Sequence, residues 1–247
     1  MEVSKQWFKD WFNSPYYHLL YSNRDEKEAA AFIDKLIAYL RPRPGSFMLD
    51  VACGKGRHAQ LLADRGFDVT GIDLSIESIL AAKKRENDHL HFYQHDMRLP
   101  FRINYFDVAF NFFTSFGYFA TPRENNNALR TIAQALKPGG RLMLDYLNST
   151  FVEAHLVPHE VLEKDRVVFD IHRAVKDHKF IKEIRILDRE KPARATFTEC
   201  VNAFTLADFE RMFALQGLKL LDTFGDYYFN AYSAQHSPRL ILLAEKQ

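Results

Sequence analysis

The sequence predicts an α/β protein built on one parallel sheet with helices on both faces, and three observations carry that prediction. From Phe47 to Tyr146 apolar strand-like runs alternate with helical segments, as repeated β–α units do. The first run, Phe47-Met48-Leu49-Asp50-Val51, leads into the glycine turn Gly54-Lys55-Gly56. After a change of rhythm at Leu147, helical and strand text returns over the last forty or so residues.

Each element can be justified in turn. Glu26 to Leu40 sets Ala30, Ile33, Leu36, Ile37 and Leu40 on one helical face, and Pro42, Pro44 and Gly45 stop it. Phe47 to Val51 is the first strand, a helix runs through Leu61 and Leu62, and Val69 to Ile72 is the second strand. A helix near Ser75 to Arg85, strands at Leu90 to Gln94 and Phe106 to Phe112, a helix at Glu124 to Leu136 and a strand at Arg141 to Tyr146 continue the alternation. Between about Glu160 and Phe204 the runs Val167 to Val175, Phe180 to Leu187 and Ala195 to Phe204 read as strands. The turn Lys176-Asp177-His178-Lys179 separates the first two, which suggests an antiparallel insertion. Thr205 is a fitting N-cap for a helix from Leu206 to Leu215, Gly217 stops it, and strands follow at Lys219 to Phe224 and Arg239 to Glu245. The expected division is an N-terminal helical cap over 1–40, a core over 41–150 and 205–247, and an antiparallel β lid over 151–204 whose removal would spare the core.

A chain of 247 residues accommodates one α/β core with a modest elaboration. Its 33 basic and 32 acidic side chains leave a formal charge of +1, which argues against a general attraction to nucleic acid or an anionic membrane. The two cysteines, Cys53 and Cys200, lack metal-site spacing and fit a reducing cytoplasm, the expected location. No stretch reads as a targeting segment or a membrane span. The ten histidines show no H-x-x-x-H spacing on one helix, so no metal is assigned.

The most informative text is the strand, turn and helix start Leu49-Asp50-Val51-Ala52-Cys53-Gly54-Lys55-Gly56-Arg57-His58. Such a turn lets backbone approach a ligand and offers free amides at a helix start. Gly54 to Ala59 also satisfies a dinucleotide fingerprint, with Asp73 at the distance of a ribose-binding acid. Three features point elsewhere: a second acid, Asp96, ending the third strand in His95-Asp96-Met97; Leu136-Lys137-Pro138-Gly139-Gly140 before the fifth strand; and the closing strand pair split by a loop, with Ser237-Pro238-Arg239 opening the last strand.

With these motifs the chain resembles the class I methyltransferases dependent on S-adenosylmethionine, from about Phe47 to Tyr146 and again in the last forty or so residues. The resemblance implies a Rossmann-like seven-stranded sheet whose last strand is antiparallel and lies between the fifth and sixth. It implies that Ala52, Cys53 and Gly54 face the methionine part of the cofactor S-adenosyl-L-methionine, Asp73 with Leu74 the ribose, and Asp96 with Met97 the adenine. The family usually has glycine where Ala52 stands, and alanine fits there if φ is negative. One carboxylate at a strand end can accept both ribose hydroxyls, whereas Asp50 is expected to brace the turn through backbone amides. Cys53 is expected to be a small packing residue as well.

After the fourth strand, Asn111-Phe112-Phe113-Thr114-Ser115-Phe116-Gly117-Tyr118-Phe119 puts five rings where open α/β sheets bind ligands. An aromatic wall would attract a sulfonium and keep it dry. Asn111, Phe116 and Tyr118 are the pocket candidates, with Phe112 and Phe119 as core. Enzymes that methylate DNA base amino groups carry two prolines in place of Phe112 and Phe113, so no nucleic-acid partner is expected. Tyr17 and Arg24 resemble the cofactor-carboxylate ligands of small-molecule methyltransferases, in an N-terminal segment expected to fold over the cofactor. Tyr21, Tyr118, Tyr146 and His172, with His155 near the insertion, are candidate acids or bases among which sequence does not choose. The reading is methyl transfer to N or O of a small-molecule acceptor by in-line displacement. Methylation of tRNA or protein and a non-catalytic cofactor-binding subunit are the alternatives, and the oligomeric state stays open.

Overall fold

The computed structural model describes residues 7–22, 26–191 and 195–247. Seven strands form the main sheet: β1 (Phe47–Val51), β2 (Asp68–Asp73), β3 (Leu90–Gln94), β4 (Phe106–Asn111), β5 (Leu136–Leu147), β10 (Leu218–Phe224) and β11 (Arg239–Lys246). Their order is β10-β11-β5-β4-β1-β2-β3, with β11 antiparallel to both neighbours and the other pairs parallel. The seven-stranded Rossmann-like sheet with its reversed last strand is therefore present.

Strand alternation splits the sheet's apolar side chains between two layers. Met48, Val108, Phe110, Met143, Ile241 and Leu243 face α3 (Glu26–Leu40), α4 (Arg57–Ala63) and α5 (Ile76–Ala82). Leu49, Val51, Ala109, Leu142, Leu144, Tyr146, Leu240 and Leu242 face α6 (Pro122–Ala135) and α8 (Leu206–Leu215). Capping boxes start the last two helices, Thr121 with Glu124 and Thr205 with Asp208, and Gly217 ends α8 at φ +66°. Strand β5 begins at Leu136, five residues before the run legible in sequence. The Lys-Pro-Gly-Gly text enters the ladder through a register shift instead of lying outside it.

The second sheet is antiparallel, β6 (His159–Lys164), β7 (Val167–Lys176), β8 (Lys179–Asp188) and β9 (Ala195–Asn202). Asp177 and His178, at φ 51° and 55°, make the two-residue turn between β7 and β8. Strand β6 and the short helix α7 (Ser149–Ala154) were not expected, because His159–Lys164 alternates exposed and half-buried residues without an apolar run.

The inner face of this sheet is part of the main core. Val167, Phe169, Ile171, Ile184 and Ile186 are buried in one cluster with Phe116, Phe119, Tyr146 and Phe209. Polar ties reinforce that continuity. Asn202 donates from N (2.9 Å) and Nδ2 (2.6 Å) to the Gly117 carbonyl, and Ser149 Oγ donates to the Phe204 carbonyl at 2.7 Å. Deleting the insertion would expose this apolar layer, which is the physical reason against the expectation that the core would tolerate its removal.

The segment before α3 forms two short helices, α1 (Trp7–Phe12) and α2 (Pro15–Leu20), seated between the sheet's carboxyl edge and β9. Helix α3 instead packs on the opposite layer through Phe32, Ile33 and Leu36. Among the described residues no helix is long and apolar enough to cross a membrane.

Candidate active site

A cavity of about 630 Å³ opens at the carboxyl ends of β1 to β5, within the size range of small-molecule sites. Its floor is the turn after β1. Ala52, Gly54 and Gly56 there have φ of 61°, 57° and 77°. The left-handed Ala52 corrects the expectation of negative φ: alanine occupies a conformation that glycine adopts without steric cost. A Cβ on Gly56 would fall 2.4 Å from the Phe92 ring, so close packing demands glycine at that place.

Asp73 closes the floor from β2. Its Oδ2 accepts from Gly54 N and its Oδ1 from Ser75 N, both at 2.8 Å, while Ser75 itself caps α5. Burial raises the Asp73 carboxyl above its ordinary pKa, against the pull of these amides. Asp50 lies deeper, 2% exposed, and takes its backbone hydrogen bond from Ala59 in α4 and not from the glycine turn, a second correction. Its Oδ2 has no hydrogen-bond partner among the described residues, and burial, with the Asp73 charge second, pushes its carboxyl up to about 8. Cys53 is buried and burial pushes its thiol well up, the environment of a packing residue.

The third-strand acid is not free. Burial would raise Asp96, but Arg98 outweighs it through Nη2 at 2.6 Å and Nε at 3.0 Å, and the carboxyl is held below its usual range. Arg98 Nη1 also binds Glu124 at 2.6 Å. Asp96 and Met97 line the cavity as expected, yet the Asp96 carboxylate has most of its acceptor capacity spent.

The roof is aromatic. Trp7 and Phe12 from α1, Tyr17 and Tyr21 from or beside α2, and Tyr118 after β4 pack edge to face or tilted, with centroids 5.0–5.7 Å apart. Tyr118 donates its hydroxyl to the Thr114 carbonyl. His18 and His58 also line the cavity, and burial, then the Lys55 charge, lowers His18.

One acid reaches this roof from the second sheet. Glu199 Oε1 accepts from Trp11 Nε1 and from Tyr21 Oη, each at 2.7 Å, and Lys182 Nζ donates to the same Tyr21 oxygen at 2.6 Å. Lys182 Nζ is 3.7 Å from Glu199 Oε2, and the two side chains are 17% and 15% exposed. Burial, then Glu199, drives the Tyr21 hydroxyl well above its normal pKa, while burial lowers Lys182.

The cavity wall after β4 is held from behind. Phe113 and Thr114 both have φ 57°, and Asp145, fully buried, accepts from Phe113 N at 2.7 Å and Tyr227 Oη at 3.0 Å. Arg239 pairs with Asp145 at 2.7 Å and donates to Thr114 Oγ1 at 2.8 Å. Strained backbone beside a ligand site persists where surrounding bonds fix it in this way.

Of the expected site residues, Tyr17, Tyr21, Ala52, Cys53, Gly54, Asp73, Leu74, Asp96, Met97 and Tyr118 line this cavity. Arg24 lies outside the described residues. Four expectations are corrected. Asn111 is fully buried and donates to the Val51 carbonyl at 3.0 Å, beneath the cavity, because β4 alternation turns it into the sheet. Phe116 is core, against Phe204 and Phe209. Tyr146 is fully buried with its hydroxyl on the Asn202 carbonyl, and burial raises it far beyond any use as a base. His172 lies on the face of the second sheet turned away from the core, beside Asp170. His155, the further candidate near the insertion, bonds the Phe151 carbonyl at the end of α7. Glu199 was missed, although a lone acid between Phe197 and Val201 on one face of a strand is a signal sequence carries.

Comparison with known proteins fits this geometry. A family profile described as "Methyltransferase domain" matches residues 48–140, from β1 through the start of β5. The chain is 28% identical over 213 residues to a dTDP-3-amino-3,4,6-trideoxy-alpha-D-glucopyranose N,N-dimethyltransferase of Streptomyces venezuelae, covering 83% of this chain and 89% of that one. The chain is a class I methyltransferase dependent on S-adenosylmethionine. The crystal structure of DesVI from Streptomyces venezuelae aligns over 100% of both chains at TM-score 0.70 and 26% identity. An S-adenosylmethionine-dependent methyltransferase from Clostridium acetobutylicum matches the methyltransferase's fold at TM-score 0.78 and 18% identity over 94% of this chain and 96% of that one.

The residues present fit that cofactor. The orphaned, buried Asp50 Oδ2 offers a cationic ligand group an acceptor at the floor, and a Cβ at Gly54 would meet nothing within 4 Å, leaving open space over the turn. The rings of Trp7, Phe12, Tyr17, Tyr21 and Tyr118 line the roof, a surface that attracts a sulfonium.

Proposed function

We propose that this methyltransferase acts on an amino nitrogen of a small molecule, with Glu199 as the group that meets the acceptor. The observation behind this reading is a carboxylate brought by β9 into a roof otherwise made of rings, and hydrogen-bonded there to Tyr21 and Trp11. An amine acceptor arrives largely as an ammonium and must lose a proton before its lone pair can attack. A carboxylate both attracts the ammonium and can take that proton, directly or through the Tyr21 hydroxyl. Lys182 keeps the Tyr21 oxygen oriented toward Glu199.

When bound, S-adenosylmethionine supplies an electrophilic methyl on a sulfonium whose departure needs little assistance. The chain's part is then orientation and dryness. Asp73 would hold the ribose, with Leu74 beside it; Ala52 to Gly54 and Asp50 the methionine end; Asp96 and Met97 the adenine edge. Tyr17, Phe12 and Tyr118 would enclose the reacting centre and stabilise positive charge over their faces. In the relatives whose names specify amino sugars carried on dTDP, the nitrogen is the methylated atom. Amino-sugar nucleotides are accordingly the first acceptors to try, and Lys55 and Arg57 on the cavity wall suit an anionic carrier.

The test is the pH–rate profile of Glu199→Gln with an accepted amine. A proton-accepting Glu199 requires kcat to fall by about 10²–10⁴, with the loss shrinking as pH rises and the amine deprotonates unaided. An equal, small effect at every pH would remove Glu199 from the reaction.

A further inference from the structure

We propose that the outer face of the second sheet carries a binding site for a divalent transition-metal ion of the zinc class, formed by His159, Asp170 and His172. The register of the sheet makes the site. His159 on β6 stands directly opposite His172 on β7, and Asp170 lies two residues from His172 on the same face. The imidazoles stack with centroids 4.5 Å apart and planes 16° from parallel. Both Nε2 atoms converge on one oxygen: Asp170 Oδ1 is 2.8 Å from His159 Nε2 and 3.0 Å from His172 Nε2.

One nitrogen of that arrangement has no aligned partner among the described residues. His159 makes an aligned hydrogen bond to the carboxylate, whereas His172 Nε2, shielded from solvent, approaches the same oxygen at 3.0 Å without an aligned hydrogen bond to any of the described residues. Neutral imidazoles with their protons on Nδ1 would present both Nε2 lone pairs to one point beside Asp170 Oδ1. A metal ion accepts both lone pairs and the carboxylate together. The three donor atoms already lie within 4.8 Å of one another. Tilting the two rings toward each other about their side-chain torsions would bring the donors to about 2.0–2.2 Å from a common centre, the bond lengths of nitrogen and carboxylate ligands on zinc. Two imidazoles and one carboxylate suit borderline ions such as Zn²⁺, Co²⁺ or Ni²⁺ over Ca²⁺ or Mg²⁺. On β8 the neighbouring acid of that face, Glu183, is bound to Arg185 Nε at 2.7 Å, so water completes the coordination.

The ion would fasten the edge strand β6 to β7. Strand β6 also reaches the N-terminal helices, Lys164 Nζ donating to the Leu20 carbonyl at 2.8 Å, so the fastening steadies the support of the cavity roof without entering the cavity.

Calorimetric titration of the full, tag-free, chelator-treated chain with ZnCl₂ tests the site, with CoCl₂ followed by visible absorption. One Zn²⁺ per chain is expected, with a low-coordinate Co²⁺ spectrum, and His159→Ala and His172→Ala should each weaken binding about tenfold or more. S-adenosylhomocysteine binding serves as the folding control. His159→Gln is the second variant if alanine disturbs β6. Absence of Zn²⁺ uptake, or uptake equal in wild type and in folded His159 and His172 variants, overturns the proposal.

Discussion

Replacing Arg239 by methionine should destabilise the protein severely although no part of the sheet ladder changes. Methionine keeps much of the side-chain length but removes the guanidinium that lies 2.7 Å from Asp145, a carboxylate with no exposed surface. Asp145 would keep two donors, Phe113 N and Tyr227 Oη, and lose its counter-charge. Breaking one side of a buried pair costs about 3–5 kcal/mol. At about 2.1 cal/mol/K per residue, 247 residues give an unfolding entropy of about 0.5 kcal/mol/K, so Tm should fall by about 6–10 °C. Arg239 also holds Thr114 Oγ1, and Phe113 and Thr114 are the left-handed residues of the cavity wall, so affinity for S-adenosylhomocysteine should drop as well. Scanning calorimetry with and without ligand measures both effects. The double variant Asp145→Leu with Arg239→Met, which leaves no charge buried, should cost less than the single one. A single variant that melts within about 2 °C of wild type, a change near 1 kcal/mol, would refute the clamp.

Other outcomes follow from the floor of the cavity. Ala52→Gly should stabilise the protein by about 0.5–1 kcal/mol in urea unfolding, since removing a left-handed alanine relieves about 1–2 kcal/mol and the freer unfolded chain returns about 0.4–1; a destabilised variant would contradict the strain. Asp50 is pushed up to about 8 in the folded protein, so between about pH 4 and pH 8 the native state keeps a proton that the unfolded chain has released. Its stabilising contribution is complete below about pH 4 and is lost as pH rises through 8. The stability of Asp50→Asn relative to wild type should therefore increase from pH 5 to pH 9, and a pH-independent difference would show that Asp50 is ionised throughout. Asp73→Ala should weaken S-adenosylhomocysteine binding by about 1.5–3 kcal/mol, roughly 10- to 150-fold, in calorimetric titration. Unchanged affinity would take Asp73 out of the site.

The core was legible because its strands are continuous apolar runs and its helices have clear stops. Leu90–Gln94, Glu26–Leu40 and Leu206–Leu215 have the bounds expected of them. The glycine turn could be read because close backbone approach restricts residue type at fixed spacing, and Asp73 lines the cavity at the spacing expected of a strand-end acid. The sign of φ at Ala52 could not, since it depends on how the turn meets β2. Asn111 and Phe116 looked like site residues because they sit in the aromatic text after the fourth strand, and Tyr146 because it lies beside the insertion. Strand alternation and packing against α8 turn them inward, a consequence of tertiary contacts. Glu199, Tyr21 and Lys182 meet only because β8 pairs with β9 and α2 docks on them, and the His159–His172 pair exists only in the register of β6 on β7.

The most direct test of the account is product analysis with labelled S-adenosylmethionine and paired acceptors, each amino-sugar nucleotide set against its hydroxyl counterpart. Mass spectrometry and NMR would locate the transferred methyl. The account predicts methyl on nitrogen, no transfer to the hydroxyl partner, and loss of transfer in Glu199→Gln while S-adenosylhomocysteine still binds. Methylation of the hydroxyl compounds in preference to the amines, by a protein that binds S-adenosylhomocysteine normally, would contradict it.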